Sequence, residues 1–226
     1  VSPLPPIVLA SSSPRRCELL NRLGIPFVVE PAGIPEELPP HASRAERVAR
    51  RLARAKALAV AARHPNHLVL AADTVVVIRG HLLDKPASEA DAWSMLRDLR
   101  GRWHRVVTAV VLALGRRVLV AHAVTRVRMR HYADEEIAAS IRRGDPFDKA
   151  GAYAIQDEQL RPVADYRGCY CNVVGLPLAV VVALLDRAHS ALDISLDNLP
   201  PECARCPLFA RLAATDATSR ARFGVR

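Results

Sequence analysis

Two stretches of the chain put charge where packing and helix electrostatics disfavour it. In "HLVLAADTVVVIRG", Asp73 interrupts an otherwise apolar run. An ionisable group in a buried strand is costly unless it is paired or bound to metal. Asp73 therefore reads as a general base or Mg²⁺ ligand, or else as a structural acid satisfied by backbone amides or an arginine. In "LASSSPRRCELL", Ser13 reads as a helix N-cap and Pro14 as a first-turn proline. Arg15 and Arg16 then face the positive end of the helix dipole, at a cost of roughly 0.3–1 kcal/mol each. A bound phosphate would reverse that cost, because N-terminal amides, the Ser11 and Ser13 hydroxyls and two guanidiniums would converge on one anion. The alternative is a pair of exposed arginines whose cost is tolerated.

Lysine is the next signal. Of 32 basic residues only Lys56, Lys85 and Lys149 are lysine. Arginine serves elsewhere, so these three positions read as places that need a compact ammonium on a flexible stem, or as chance survivals. A lone carboxylate among such cations suits phosphate-ester hydrolysis. The cations neutralise charge while the acid, with a metal ion, prepares water. Glu36 and Glu37 could supply a further metal ligand from the loop between residues 31 and 42.

The elements that must position these residues follow from pattern. Residues 7–10 read as a short buried strand, and 14–23 as a helix stopped by Gly24. Ser43 caps a helix over about 44–63 whose apolar stripe is Val48, Leu52, Ala55, Ala59 and Ala62, with Lys56 at its edge. Residues 68–72 and 75–78 read as strand on either side of Asp73 and Thr74. A helix over 88–99 precedes a hairpin, 106–114 and 118–130, around Gly115. A helix over 134–143, a loop and strand through "GDPFDKAGAYAIQD", and a core helix over 176–189 complete the pattern. The mix predicts an α/β fold with a mixed sheet. Residues 1–190 read as one domain and 191–226 as a Pro-, Ala- and Arg-containing tail of no assigned role.

Composition narrows the function classes. The chain has 226 residues, half of them hydrophobic, and a net charge of +9. An anionic partner is expected, and nucleotide, nucleic acid and acidic membrane surfaces all qualify. Aromatics at 4% argue against a platform for stacking single strands. Val1 to Pro6 lack a basic export-signal region, and the apolar run 173–185 is too short to span a bilayer, so a cytoplasmic location is expected. No Walker, dinucleotide-binding, zincin or nucleophile-elbow motif is present. Five cysteines include Cys169-x-Cys171 and Cys203-x-x-Cys206. These four could bind a structural metal and pin the tail to the core, or could be independent free thiols.

"LASSSPRRCELL", "AADTVVV", "LLDKP", "DKAGAYAIQ" and "NVVGLP", in this order, resemble the Maf (septum-formation) family of nucleoside triphosphate pyrophosphatases over about residues 7–189. The resemblance implies an elongated mixed sheet flanked by helices, like that of inosine triphosphate pyrophosphatases, and a homodimer. It implies hydrolysis of a nucleoside triphosphate to monophosphate and pyrophosphate with a divalent cation, Mg²⁺ or Mn²⁺. It makes Asp73 the proton acceptor and a metal ligand, with Glu36 a second ligand. Lys56 and Lys85 become the catalytic cations around the triphosphate. Ser11, Ser13, Arg15, Arg16 and Lys149 bind substrate, with Asp148 beside Lys149. Arg15, Thr74 and Gln156 set base choice, and Thr after Asp with Gln in "AIQ" resembles the branch acting on dTTP and UTP. Trp103 and Asp157 depart from the family pattern, which has a small residue and a glycine there. The alternative reading is a basic nucleic-acid-binding protein without catalytic activity, motivated by net charge and by the arginines of helix 44–63.

Overall fold

A computed structural model describes residues 6–35, 44–188 and 192–215. The proposed metal ligand Glu36, its neighbour Glu37 and the cap Ser43 lie outside the described residues.

Strand β1 (Ile7–Leu9) is followed by helix α1 (Pro14–Asn21) and strand β2 (Phe27–Val29). Helix α2 (Ala45–Ala61) leads into β3 (Val69–Ile78) and β4 (His81–Leu83). Helix α3 (Glu89–Leu99) precedes the long hairpin β5 (Trp103–Leu114) and β6 (Arg117–Met129). Helix α4 (Asp134–Arg142), a 3-10 turn at Ala150–Ala152 and β7 (Val163–Arg167) follow. The chain continues through α5 (Tyr170–Val174), α6 (Leu178–Arg187), a second 3-10 turn at Pro201–Arg205 and α7 (Pro207–Thr215). The strands form one seven-stranded sheet in the order β2-β1-β3-β5-β6-β7, with β4 paired to β3. β1 runs parallel to β2 and β3, and the other pairs are antiparallel, so the sheet is mixed as expected.

Several expectations are corrected. Residues 69–78 make one continuous strand: Asp73 and Thr74 keep their ladder partners Ala109 and Thr108 on β5. "GDPFDKAGAYAIQD" contains a 3-10 turn and no strand; the strand comes later, as β7. Gly151 has φ +74, and a Cβ there would sit 3.1 Å from Val76 Cγ1. Backbone this close to a neighbouring side chain favours glycine over any extended alternative. The expected helix over 176–189 is present as α6, and a short helix the pattern did not show, α5, precedes it; Gly175 (φ 123) and Pro177 separate the two. Residues 192–215 pack on the same core: Leu196, Leu199, Leu208 and Phe209 lie against the cluster that contains Leu176, Val181 and Leu185.

The α2 stripe also shifts. Its buried positions include Val48, Ala49, Leu52, Ala53, Lys56, Ala57 and Val60, while Ala55 and Ala62 are exposed. Lys56 is thus at the centre of the apolar face and not at its edge. A 3.6-residue repeat from Val48 and Leu52 passes through position 56, and polarity alone suggested skipping it.

Trp103 is accommodated by its surroundings. It is half-buried, with the guanidiniums of Arg126, Arg128 and Arg167 5.1–5.8 Å from its ring. Asp157, in place of glycine, accepts hydrogen bonds from the N–H groups of Gln159 and Leu160 at 2.9 Å, which builds the turn.

Candidate active site

Successive side chains of a strand point to opposite faces, and β3 uses this at its centre. Val69, Ala71, Val75 and Val77 pack with α2 on one face, whereas Leu70 and Ala72 belong to the core on the other. Asp73 falls on the α2 face and Thr74 on the opposite one. Both remain reachable because one edge of β3 is notched. β1 is in register with Val69 and Leu70 only, and β4 with Val76 to Ile78 only, so among the described residues the segment between has no strand neighbour on that side. A cavity of about 570 Å³ occupies the notch.

The cavity gathers the residues singled out from sequence. Ser11, Ser13, Arg15, Arg16, Lys56, Asp73, Thr74, Lys85, Asp148, Lys149 and Gln156 all line it. On its floor, Lys56 Nζ donates to Asp73 Oδ1 at 2.6 Å, and both side chains are over nine-tenths buried. The pair explains how each charge is tolerated: an isolated ion at that depth would be far more costly than a paired one.

Arg16 serves a different purpose from Arg15. Its Nε donates to the Gly175 carbonyl at 2.9 Å, Nη1 to Ser11 Oγ at 3.3 Å and Nη2 to Thr74 Oγ1 at 3.2 Å. One guanidinium thus ties the turn after β1 to β3 and to the end of α5. A Cβ on Gly175 would lie 3.4 Å from Thr74 Oγ1 and 3.5 Å from Arg16 Nε, at a φ that side chains rarely adopt. The glycine of "NVVGLP" is what lets the carbonyl reach the guanidinium. Thr74 Oγ1 also contacts Thr108 Oγ1 at 3.0 Å. Its hydroxyl is therefore part of the Arg16 clamp.

At the rim, Arg15 Nη1 donates to Asp148 Oδ2 at 3.1 Å, and Lys149 Nζ to Asp148 Oδ1 at 2.5 Å. Lys149 Nζ also donates to the Asp145 carbonyl. Partial burial pushes the Asp148 carboxyl up, but Lys149 and Arg15 outweigh it and leave it below its ordinary value. Lys85 is exposed, with its backbone N–H held by Asp84 Oδ1 at 2.7 Å. Ser13 occupies the N-cap position of α1, yet its side chain makes no capping hydrogen bond, and the first turn holds no acid. The positive helix end is left for another acceptor.

Further contributors had no role from sequence. Tyr153 lines the cavity, and its hydroxyl is 2.6 Å from His104 Nε2. Burial pushes the His104 imidazole down to about 4, and its Nδ1 has no hydrogen-bond partner among the described residues. Val173 and Val174 add apolar wall from α5. Tyr153 and the valines do stand inside "DKAGAYAIQ" and "NVVGLP", but only folding shows which members of a motif face the cavity.

Among the described residues no set of three His, Cys, Asp or Glu side chains is arranged to hold a metal, and no helix is long and apolar enough to cross a membrane. The exposed arginines of α2, at 47, 50, 51 and 54, lie on its outer face, away from the stripe that packs on the sheet.

A family model described as Maf-like protein matches residues 6–188. A dTTP/UTP pyrophosphatase of Thermomicrobium roseum is 60% identical over 215 residues, 95% of this chain and 97% of that protein. A protein of the same name from Koribacter versatilis is 48% identical, over 80% of this chain and 94% of its own. Another, from Moorella thermoacetica, is 50% identical over 79% and 93%.

Proposed function

The chain belongs to the Maf-like protein family, and from that premise we propose that it hydrolyses nucleoside triphosphates, dTTP and UTP foremost, to the monophosphate and pyrophosphate. The observation that carries this reading is the convergence of Arg15, Lys56, Lys85 and Asp73 on one cavity. Its volume suits a ligand of nucleotide size, and its lining combines a cationic wall with Val76, Val106, Tyr153 and Val174 as an apolar one.

Water attacks the α-phosphorus, the bond to the bridging oxygen breaks, and pyrophosphate leaves. Asp73 accepts the proton of the attacking water. Lys56 supplies the counter-charge that allows a carboxylate to wait at that depth. Arg15, Lys85, Lys149 and the α1 N-terminus bind the phosphates and stabilise the charge that grows on the leaving group. Arg16 positions the Ser11 turn and Thr74 relative to one another. Gln156 carries one acceptor and two donors, the set that a pyrimidine O and N–H edge requires.

A divalent cation, Mg²⁺ or Mn²⁺, is part of the proposal. Asp73 is the buried acid among the described lining residues. One carboxylate plus substrate phosphates is an ordinary donor set for Mg²⁺, so the residues fit an ion shared between protein and substrate. When bound, that ion neutralises phosphate charge and lowers the pKa of water. A homodimer acting in the cytoplasm completes the reading.

The test is a screen of normal and modified nucleoside triphosphates for pyrophosphate release with Mg²⁺ and with Mn²⁺, alongside sedimentation of the purified chain. Release from dTTP and UTP above the purine nucleotides is expected. Tight DNA or RNA binding with a steep salt slope and no pyrophosphate release would overturn the reading in favour of a nucleic-acid-binding protein.

A further inference from the structure

Four of the five cysteines meet at a place that nucleotide hydrolysis does not use. Cys169 and Cys171 stand at the start of α5, and Cys203 and Cys206 at the 3-10 turn that leads into α7. All four are buried, none more than 5% exposed, and no disulfide joins them. Cys171 Sγ and Cys203 Sγ are 3.4 Å apart. The Cys169 thiol also interacts with those of Cys171 and Cys206. The sulfurs thus form one continuous group, Cys203 to Cys171 to Cys169 to Cys206, two from each of two segments more than thirty residues apart.

The segment bearing the first pair is fixed by its own hydrogen bonds. Thr125 Oγ1 accepts from the Cys169 N–H and donates to the Cys169 carbonyl, both at 3.0 Å. Asn172, the residue after Cys171, donates to Thr125 Oγ1 and to the Val106 carbonyl, and accepts from the Thr108 N–H. The second pair is presented by a turn closed by the Cys203 and Cys206 N–H bonds to the Pro200 and Cys203 carbonyls. Close packing gives no reason to stack four sulfurs here when aliphatic side chains would fill the same volume. Buried cysteines are distinguished by their chemistry more than by their shape.

We propose that Cys169, Cys171, Cys203 and Cys206 form a tetrathiolate site for Zn²⁺ that fastens residues 192–215 to the core. Four soft sulfur donors from two short-spaced pairs match the closed tetrahedral set of a structural zinc site. As they stand in the structure, the four thiols are not arranged as a metal-ligating set. Ligation would require the side chains to turn until all four sulfurs stand about 2.3 Å from one ion. Each thiol that ligates gives its proton to solvent, so uptake releases protons.

The site also bears on the cavity. α5 carries Cys171 near its start, and the Cys171 carbonyl accepts from the Gly175 N–H. Gly175 in turn holds Arg16 through its own carbonyl. Zinc would anchor α5 at one end, as Arg16 does at the other.

The experiment measures zinc in the full chain, purified untagged under reducing, oxygen-free conditions. One zinc per chain is expected, with protection of four cysteines from alkylation that is lost on chelation. Replacement of zinc by Co²⁺ is expected to give sulfur-to-cobalt charge-transfer absorption. Cys203→Ser with Cys206→Ser should abolish both signals. Should that variant fail to fold, metal content and the Co²⁺ spectrum of the unaltered chain still decide. Absence of stoichiometric zinc, or finding iron, two cystines or four freely alkylated thiols instead, would overturn the proposal.

Discussion

The floor and the rim of the cavity each pair an acid with a cation, and they are built on opposite terms. On the floor, Lys56 and Asp73 are 8% and 6% exposed and 2.6 Å apart, fixed on a long helix and a central strand. At the rim, Arg15 and Asp148 are 27% and 61% exposed and 3.1 Å apart, on a helix's first turn and a loop. Burial makes the first pair interdependent, since neither charge has water to fall back on. Exposure makes the second replaceable, because water and salt screen it. A substrate carrying several negative charges can displace Asp148 from Arg15 and Lys149, but the buried pair must be present beforehand. The floor is suited to chemistry and the rim to exchange of ligands.

The largest effect should come from breaking the floor. Asp73→Asn is expected to lower turnover at least about 10²-fold, the lower range for loss of a general base. Asp73→Ala should in addition destabilise the fold by about 3–5 kcal/mol in urea unfolding, because the buried Lys56 ammonium loses the Asp73 carboxylate. Asp73→Leu combined with Lys56→Met should recover stability without activity. An Asp73→Ala chain as stable as the parent would mean that the floor is no more buried than the rim.

Second in size is the pH response of His104, the hydrogen-bond partner of the cavity-lining Tyr153. His104 is held neutral by burial, with its value moved from 6.5 to about 4. The unfolded chain takes up the proton first as pH falls, so stability should drop between pH 6.5 and 4, by about 3 kcal/mol in all. His104→Gln can still meet the Tyr153 hydroxyl and should flatten that slope. Unfolding curves at several pH values check this, and an unchanged slope in the variant would remove His104 as its source.

The smallest effect is expected at the rim. Asp148→Asn should change stability by less than about 1 kcal/mol, while KM for the triphosphate falls as Arg15 and Lys149 are released. The Asp148 value is depressed, so its contribution stands at neutral pH and is lost only as pH falls below the ordinary 3.8. A stability loss here as large as that of Asp73→Ala would erase the distinction between the two regions.

Local pattern and motif chemistry identified much of this protein from sequence alone. An acid in an apolar run, two arginines at a helix start, three surviving lysines and a hairpin around Gly115 are features of adjacent residues, and each was legible without coordinates. The notch in β3 was not, because it depends on where β1 stops and β4 begins, two strands distant in sequence. The same holds for Lys56 at the centre of the α2 stripe, for Arg16 clamping Gly175 and Thr74, and for the meeting of four thiols. A strand's period of two dictates that Asp73 and Thr74 face apart. Only tertiary packing, which sets the neighbours each strand edge gains or lacks, decides that both can open into one cavity.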